Sequence, residues 1–137
     1  MPASKVSSIV GSSVALTDAM VQGSTLVCLY EGSSGAITLE KETGMAASGI
    51  ATRQKAEAGH KKLFYASQPK PLPKGTTISF SSLSGLGSSA FYWTGVIEGK
   101  PYSGADAFKG TTGYFSEMGG ALQQSKLEQL ERLALAA

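Results

Sequence analysis

Hydrophobic and polar positions alternate most regularly over residues 75–97. Ile78 and Phe80 are separated by Thr77, Ser79 and Ser81, the period of two that sets one face of a strand against a core and the other in water. Ala90, Phe91, Tyr92, Trp93, Val96 and Ile97 are apolar on both parities, which predicts a strand covered on both faces and a buried Trp93. Ser84, Gly85, Leu86 and Gly87 between them tolerate a reversal, so the stretch reads as a hairpin. The same logic predicts an interior strand over 24–31, with Leu26, Cys28 and Tyr30 on one side and Val27 and Leu29 on the other. A half-exposed strand is expected where Ile37 and Leu39 alternate with Thr38 and Glu40.

Residues 60–67 bring Leu63, Phe64, Tyr65 and Ala66 together and read as a further strand, while 5–17 reads as an edge strand bent at Gly11. Residues 43–59 fit a strand or a helical turn equally. In QPKPLPKG three prolines remove amide donors and favour a stiff extended connector, expected here between two sheets. Residues 98–120 are rich in glycine with scattered aromatics and read as an arm or long loop.

The tail changes period. Leu122, Leu127, Leu130, Leu133 and Ala134 project within an arc of about 140° at helical spacing, one stripe of an amphipathic helix. A lone helix of this length is marginal in water, so the stripe must dock, either on its own domain or on a partner.

Composition supports a single domain with a mainly β fold: 137 residues, 17 of them glycine, and only 16% charged. A net charge of +2 is too slight for a nucleic-acid footprint. No run is long and apolar enough for a membrane helix, and residues 1–20 lack the apolar core of a secretory signal. Cys28 lies inside an apolar run and reads as a small core residue. His60 is the single histidine; beside Lys61 and Lys62 it reads as a surface residue, and a two-histidine metal site is excluded. Glu40 and Glu42 share a face, with Lys41 between them, and read as solvated. No GxSxG elbow or phosphate loop is present. The expectation is a chain without catalysis, metal or cofactor.

The series TLVCLYE, AITLEKETG, KKLFYAS, GTTISFS and SSAFYWTGVI resembles a jelly-roll-like β-sandwich module of tailed-phage virion proteins and bacterial surface proteins. Phe64 to Ala66, Gly75 to Phe80 and Ala90 to Val96 occupy its characteristic strands. GMAASGIATRQ stands where the module has an Asp and Asn turn. The resemblance covers roughly residues 24–97 and implies a jelly-roll-like antiparallel sandwich; with the patterns above, the chain divides into a sandwich core over 1–98, an arm or loop over 99–120 and a helix over 121–137. The resemblance further implies a phage capsid cement, or decoration, protein on the virion exterior. Its partners would be the major capsid protein and further copies of itself, with no nucleic acid and no membrane. Contacts are then expected at Tyr102, Phe108, Tyr114, Phe115, Leu122, Leu127, Leu130 and Leu133. The alternative is a carbohydrate-binding module with Tyr30, Trp93 or Tyr102 as its aromatic platform.

Overall fold

The computed structural model describes residues 1–87, 89–119 and 124–136. The chain is mostly β. Seven antiparallel strands form one sheet, and a C-terminal helix closes the chain. The strands are β1 (Val14–Gln22), β2 (Thr25–Gly32), β3 (Gly35–Glu42), β4 (Thr77–Ser82), β5 (Ser89–Ile97), β6 (Lys100–Lys109) and β7 (Thr112–Gly119). The helices are α1 (Ala3–Val10), α2 (Ala47–Ile50), α3 (Arg53–Ala66) and α4 (Gln124–Ala136).

The strand order β1-β2-β3-β7-β6-β5-β4 is two meanders joined where β3 pairs with β7. That join forces the chain to travel from the middle of the sheet to its far edge between β3 and β4. The segment containing α2, α3 and the proline-rich stretch makes this crossing over one face of the sheet. The α1 and α4 helices cover the other face, packing against each other and, for α4, against β5, β6 and β7. Two facing sheets of a jelly-roll are therefore not what the described strands form; helices supply the outer layers.

Three expectations change, each for a physical reason. Residues 60–66 are the second half of α3, and Ser67 is its C-cap. Ala56, His60 and Phe64 recur at a spacing of four and face the sheet, and Thr52 caps the helix by accepting from the Lys55 amide at 3.3 Å. Residues 5–10 belong to α1, which presents Val6 and Val10 inward and ends at Gly11 in the left-handed conformation, φ 79°. Residues 99–120, expected as an arm, supply the β6–β7 hairpin at the heart of the sheet. Their small residues have a packing role: Ser103, Ala105 and Ala107 are buried, which lets α4 approach closely. Gly104 leaves room for the Trp93 ring, since a Cβ there would lie 2.5 Å from the indole.

The α4 stripe docks on its own sheet. Leu127 and Leu130 are completely buried with Val6, Tyr30, Ile37 and Met118, each contributing about 1.5–3 kcal/mol. Lys126 ties the two helices together by donating to the Val10 carbonyl at 2.8 Å. Tyr30, also fully buried, satisfies its hydroxyl by donating to the Met1 carbonyl at 2.6 Å. The β4–β5 hairpin forms as its pattern predicts, with Phe80 opposite Trp93, and Trp93 is buried. Among the described residues no helix is long and apolar enough to cross a membrane.

Candidate functional site

The face of the sheet under α3 is built differently. Strand alternation turns Phe91 and Trp93 of β5, Asp106 and Phe108 of β6, Phe115 and Glu117 of β7, and Glu40 and Glu42 of β3 to this side. The α3 helix packs mainly over the β4–β5 end and reaches β6 through His60. Where it lifts away, a cleft of about 620 Å³ remains, floored by the sheet and walled by α2 and α3. This volume is in the range of small-molecule sites.

At the floor stands a buried polar group with its partners in place. Asp106 is 1% exposed. Its Oδ2 lies 2.6 Å from His60 Nδ1, and its Oδ1 accepts from the Trp93 indole N–H at 3.2 Å. Burial pushes the Asp106 carboxyl up from its usual range, and the His60 and Trp93 hydrogen bonds oppose that rise. Rings hold the imidazole from several sides: Trp93 at 4.9 Å between centroids, with Phe91 at 5.8 Å and Phe80 at 6.0 Å edge-on. With Nδ1 engaged by Asp106, Nε2 is the ring nitrogen left for a ligand, and His60 lines the cleft.

Toward the mouth the walls become acidic. Glu40 pairs with Phe115 and Phe115 with Asp106, while Glu117 stands opposite Thr38 and Gly104. Glu117 is thus a diagonal neighbour of both Glu40 and Asp106, at roughly 7–8 Å between backbones, while Glu40 and Asp106 flank Phe115 two strands apart. Burial raises the Glu40 carboxyl above its ordinary value, and the charges of Glu42, Asp106 and Glu117 raise it further. Glu117 keeps an exposed side chain, yet desolvation by the protein packed around its carboxyl raises it too, His60 opposing the rise and Asp106 adding to it.

No protein-family model matches the chain, and no curated protein or solved structure does. The site therefore stands on its geometry.

Of the contact residues expected from sequence, Tyr102, Phe108 and Phe115 line the cleft, Phe108 as buried floor. Tyr114 points to the opposite face, with Lys41 Nζ 5.6 Å from its ring centre. Leu127 and Leu130 are core, Leu133 is half-buried, and Leu122 lies outside the described residues. Tyr30 and Trp93 are buried, so of the three platform aromatics only Tyr102 is partly open. Sequence reasoning missed His60, Asp106 and the glutamates as a group. The available signal was the spacing of four from Ala56 through His60 to Phe64, which places His60 on the inward stripe of a helix. A second was Asp106 as a lone acid between alanines.

Proposed function

We propose that the chain is a ligand-binding module that holds a small, largely apolar organic molecule between α3 and the sheet. The observation that carries this reading is an aromatic-lined cleft with an oriented His60–Asp106–Trp93 group at its floor. Apolar walls with a few convergent polar groups are the arrangement by which proteins bind and orient small molecules. Phe108, Phe115 and Tyr102 would receive the body of the ligand, and His60 Nε2 would fix its polar end. Binding without turnover is the expected behaviour. Among the lining residues the hydroxyl of Ser67 donates to the Phe64 carbonyl at 2.8 Å, which turns it toward its own helix.

The test uses Gly59, which lines the cleft and at which an added Cβ meets nothing within 4 Å. Gly59→Phe plugs the space, and its melting temperature is expected to stay level or rise, since glycine is a poor helix former. Saturation-transfer NMR with a library of small aromatic compounds should give binders to the native chain that are lost in Gly59→Phe. Binders indifferent to the plug, or no binders at all, would contradict the proposal.

A second reading keeps the assembly role implied by the virion resemblance. What favours it is the β1–β2 hairpin, where Leu16, Met20, Val21 and Leu26 are exposed at the edge of the sheet. Nine-residue β1 carries no Pro or Lys, residues that commonly protect an edge from pairing, and past the bulge between Leu16 and Asp18 it runs on regularly to Gln22. Contacts with a capsid or with further copies would then use β1 rather than α4. Light scattering across a concentration series, with Val21→Lys as control, checks self-association: a larger species abolished by the substitution supports it, and a monomer throughout counts against it.

A further inference from the structure

We infer that the ligand of the cleft is an organic cation, an ammonium group attached to an aromatic or aliphatic body. This rests on the reading of the cleft as a binding site and names the chemistry it selects. The polar groups lining the cleft are strongly biased in sign: Glu40, Glu42, Glu117 and Asp106 are acids, and His60 is the single basic residue among them. His60 and Asp106 face each other at 2.6 Å, so the one basic group of the lining is already engaged by one of its acids. Glu40, Glu42 and Glu117 then set the field at the mouth.

Among the described residues no ion pair engages these three. Arg53 is engaged with Glu57 at 2.7 Å, and Lys41 points to the opposite face beside Tyr114. The repulsion among the acids shows in the raised Glu40 carboxyl, for which Glu42, Asp106 and Glu117 are each a cause after burial. A bound cation would relieve that repulsion.

The aromatic lining suits the same class. Phe115 sits between Glu40 and Asp106 in the strand register, and Tyr102, further along β6, is a partly open ring of the same lining. Ring faces attract alkylammonium groups, most strongly where water is excluded, and carboxylates beside such rings complete the recognition. A compact metal ion fits less well, because among the described residues no three acidic, cysteine or histidine groups gather closely enough to hold one. An organic ammonium, whose charge is spread over its substituents, is served by carboxylates several ångströms apart.

Three probes matched in size separate the possibilities: benzyltrimethylammonium, benzyl alcohol and phenylacetate, each titrated into the intact chain by NMR at low and high salt. The cation is expected to bind roughly tenfold more tightly than the neutral probe, with phenylacetate weakest and the cation's advantage shrinking with salt. In the Glu40→Gln, Glu117→Gln double variant that advantage should collapse while benzyl alcohol binding is unchanged. If benzyl alcohol binds as well as the cation, or if the double variant keeps the preference, cation selectivity is wrong and the cleft remains a site for neutral ligands. If no probe binds at millimolar concentration, the binding-site reading itself fails.

Discussion

The two faces of one sheet have been put to opposite uses. Under α1 and α4 the strands present alanines, serines and aliphatic side chains, and the helices settle onto them until Leu127, Leu130, Val6 and Ile37 are completely buried. Under α3 the same strands present bulky rings and acids, and the helix is held off far enough to leave a cleft. Alternation along β6 makes the contrast plain: Ala105 and Ala107 face the closed side, Asp106 and Phe108 the open one. Small residues permit close packing, whereas a buried carboxylate and large rings require partners and space. One strand can therefore build a core and a site together.

The closed face also buries a carboxyl, and it supplies the largest expected effect. Glu131 on α4 is buried against the sheet, with Oε2 unpartnered among the described residues. Burial pushes its carboxyl up from 4.5 to about 8, the nearby Asp106 adding to the rise and Ser116 opposing it. A carboxyl raised in the folded state stabilises most at low pH; that stability is lost as pH rises from its unfolded value through its folded one. The loss approaches about 5 kcal/mol. Urea midpoints at pH 5 and pH 9 should therefore favour pH 5, and Glu131→Gln should reduce the difference, the raised Asp106, Glu40 and Glu117 carboxyls carrying the rest.

Next in size, Leu130→Ala opens a void on the closed face and should cost about 2–5 kcal/mol by chemical denaturation. Asp106→Ala, on the open face, leaves the buried Trp93 N–H without its acceptor and should cost about 1–3 kcal/mol. It should also change the His60 imidazole signals, because the contact at Nδ1 is gone. The smallest effect belongs to Leu63→Ala: this residue lines the cleft but is 71% exposed, and stability should move by less than about 0.5 kcal/mol. Leu63 and Leu130 behaving alike would dissolve the contrast between the faces.

The same contrast explains how far the sequence could be read. Period-two alternation is a local property, and it located β2, β3 and the β4–β5 hairpin, together with the burial of Trp93. The α4 stripe was equally local, although its docking surface was not. Residues 99–120 misled because their glycines and small polar side chains signal turns when read alone. Here Ser103, Gly104 and Ala105 are small because α4 and Trp93 press on them from opposite sides, information that lies elsewhere in the chain. Residues 63–66 misled because a short apolar run suits a strand or a helix equally. The site was hardest to see, since His60, Asp106 and Glu40 come from a helix and two strands and meet only through the β3–β7 join.

The central claim is that the cleft under α3 admits small molecules while the core between α4 and the sheet, around Leu127 and Leu130, is filled. Methyl and indole NMR spectra recorded while a mixture of small aromatic compounds is added test it most directly. The account predicts shifts at Ile50, Leu63, His60 and the Trp93 indole, with Val6, Leu127 and Leu130 unmoved. Shifts at Leu127 and Leu130, or none on either face, would contradict it.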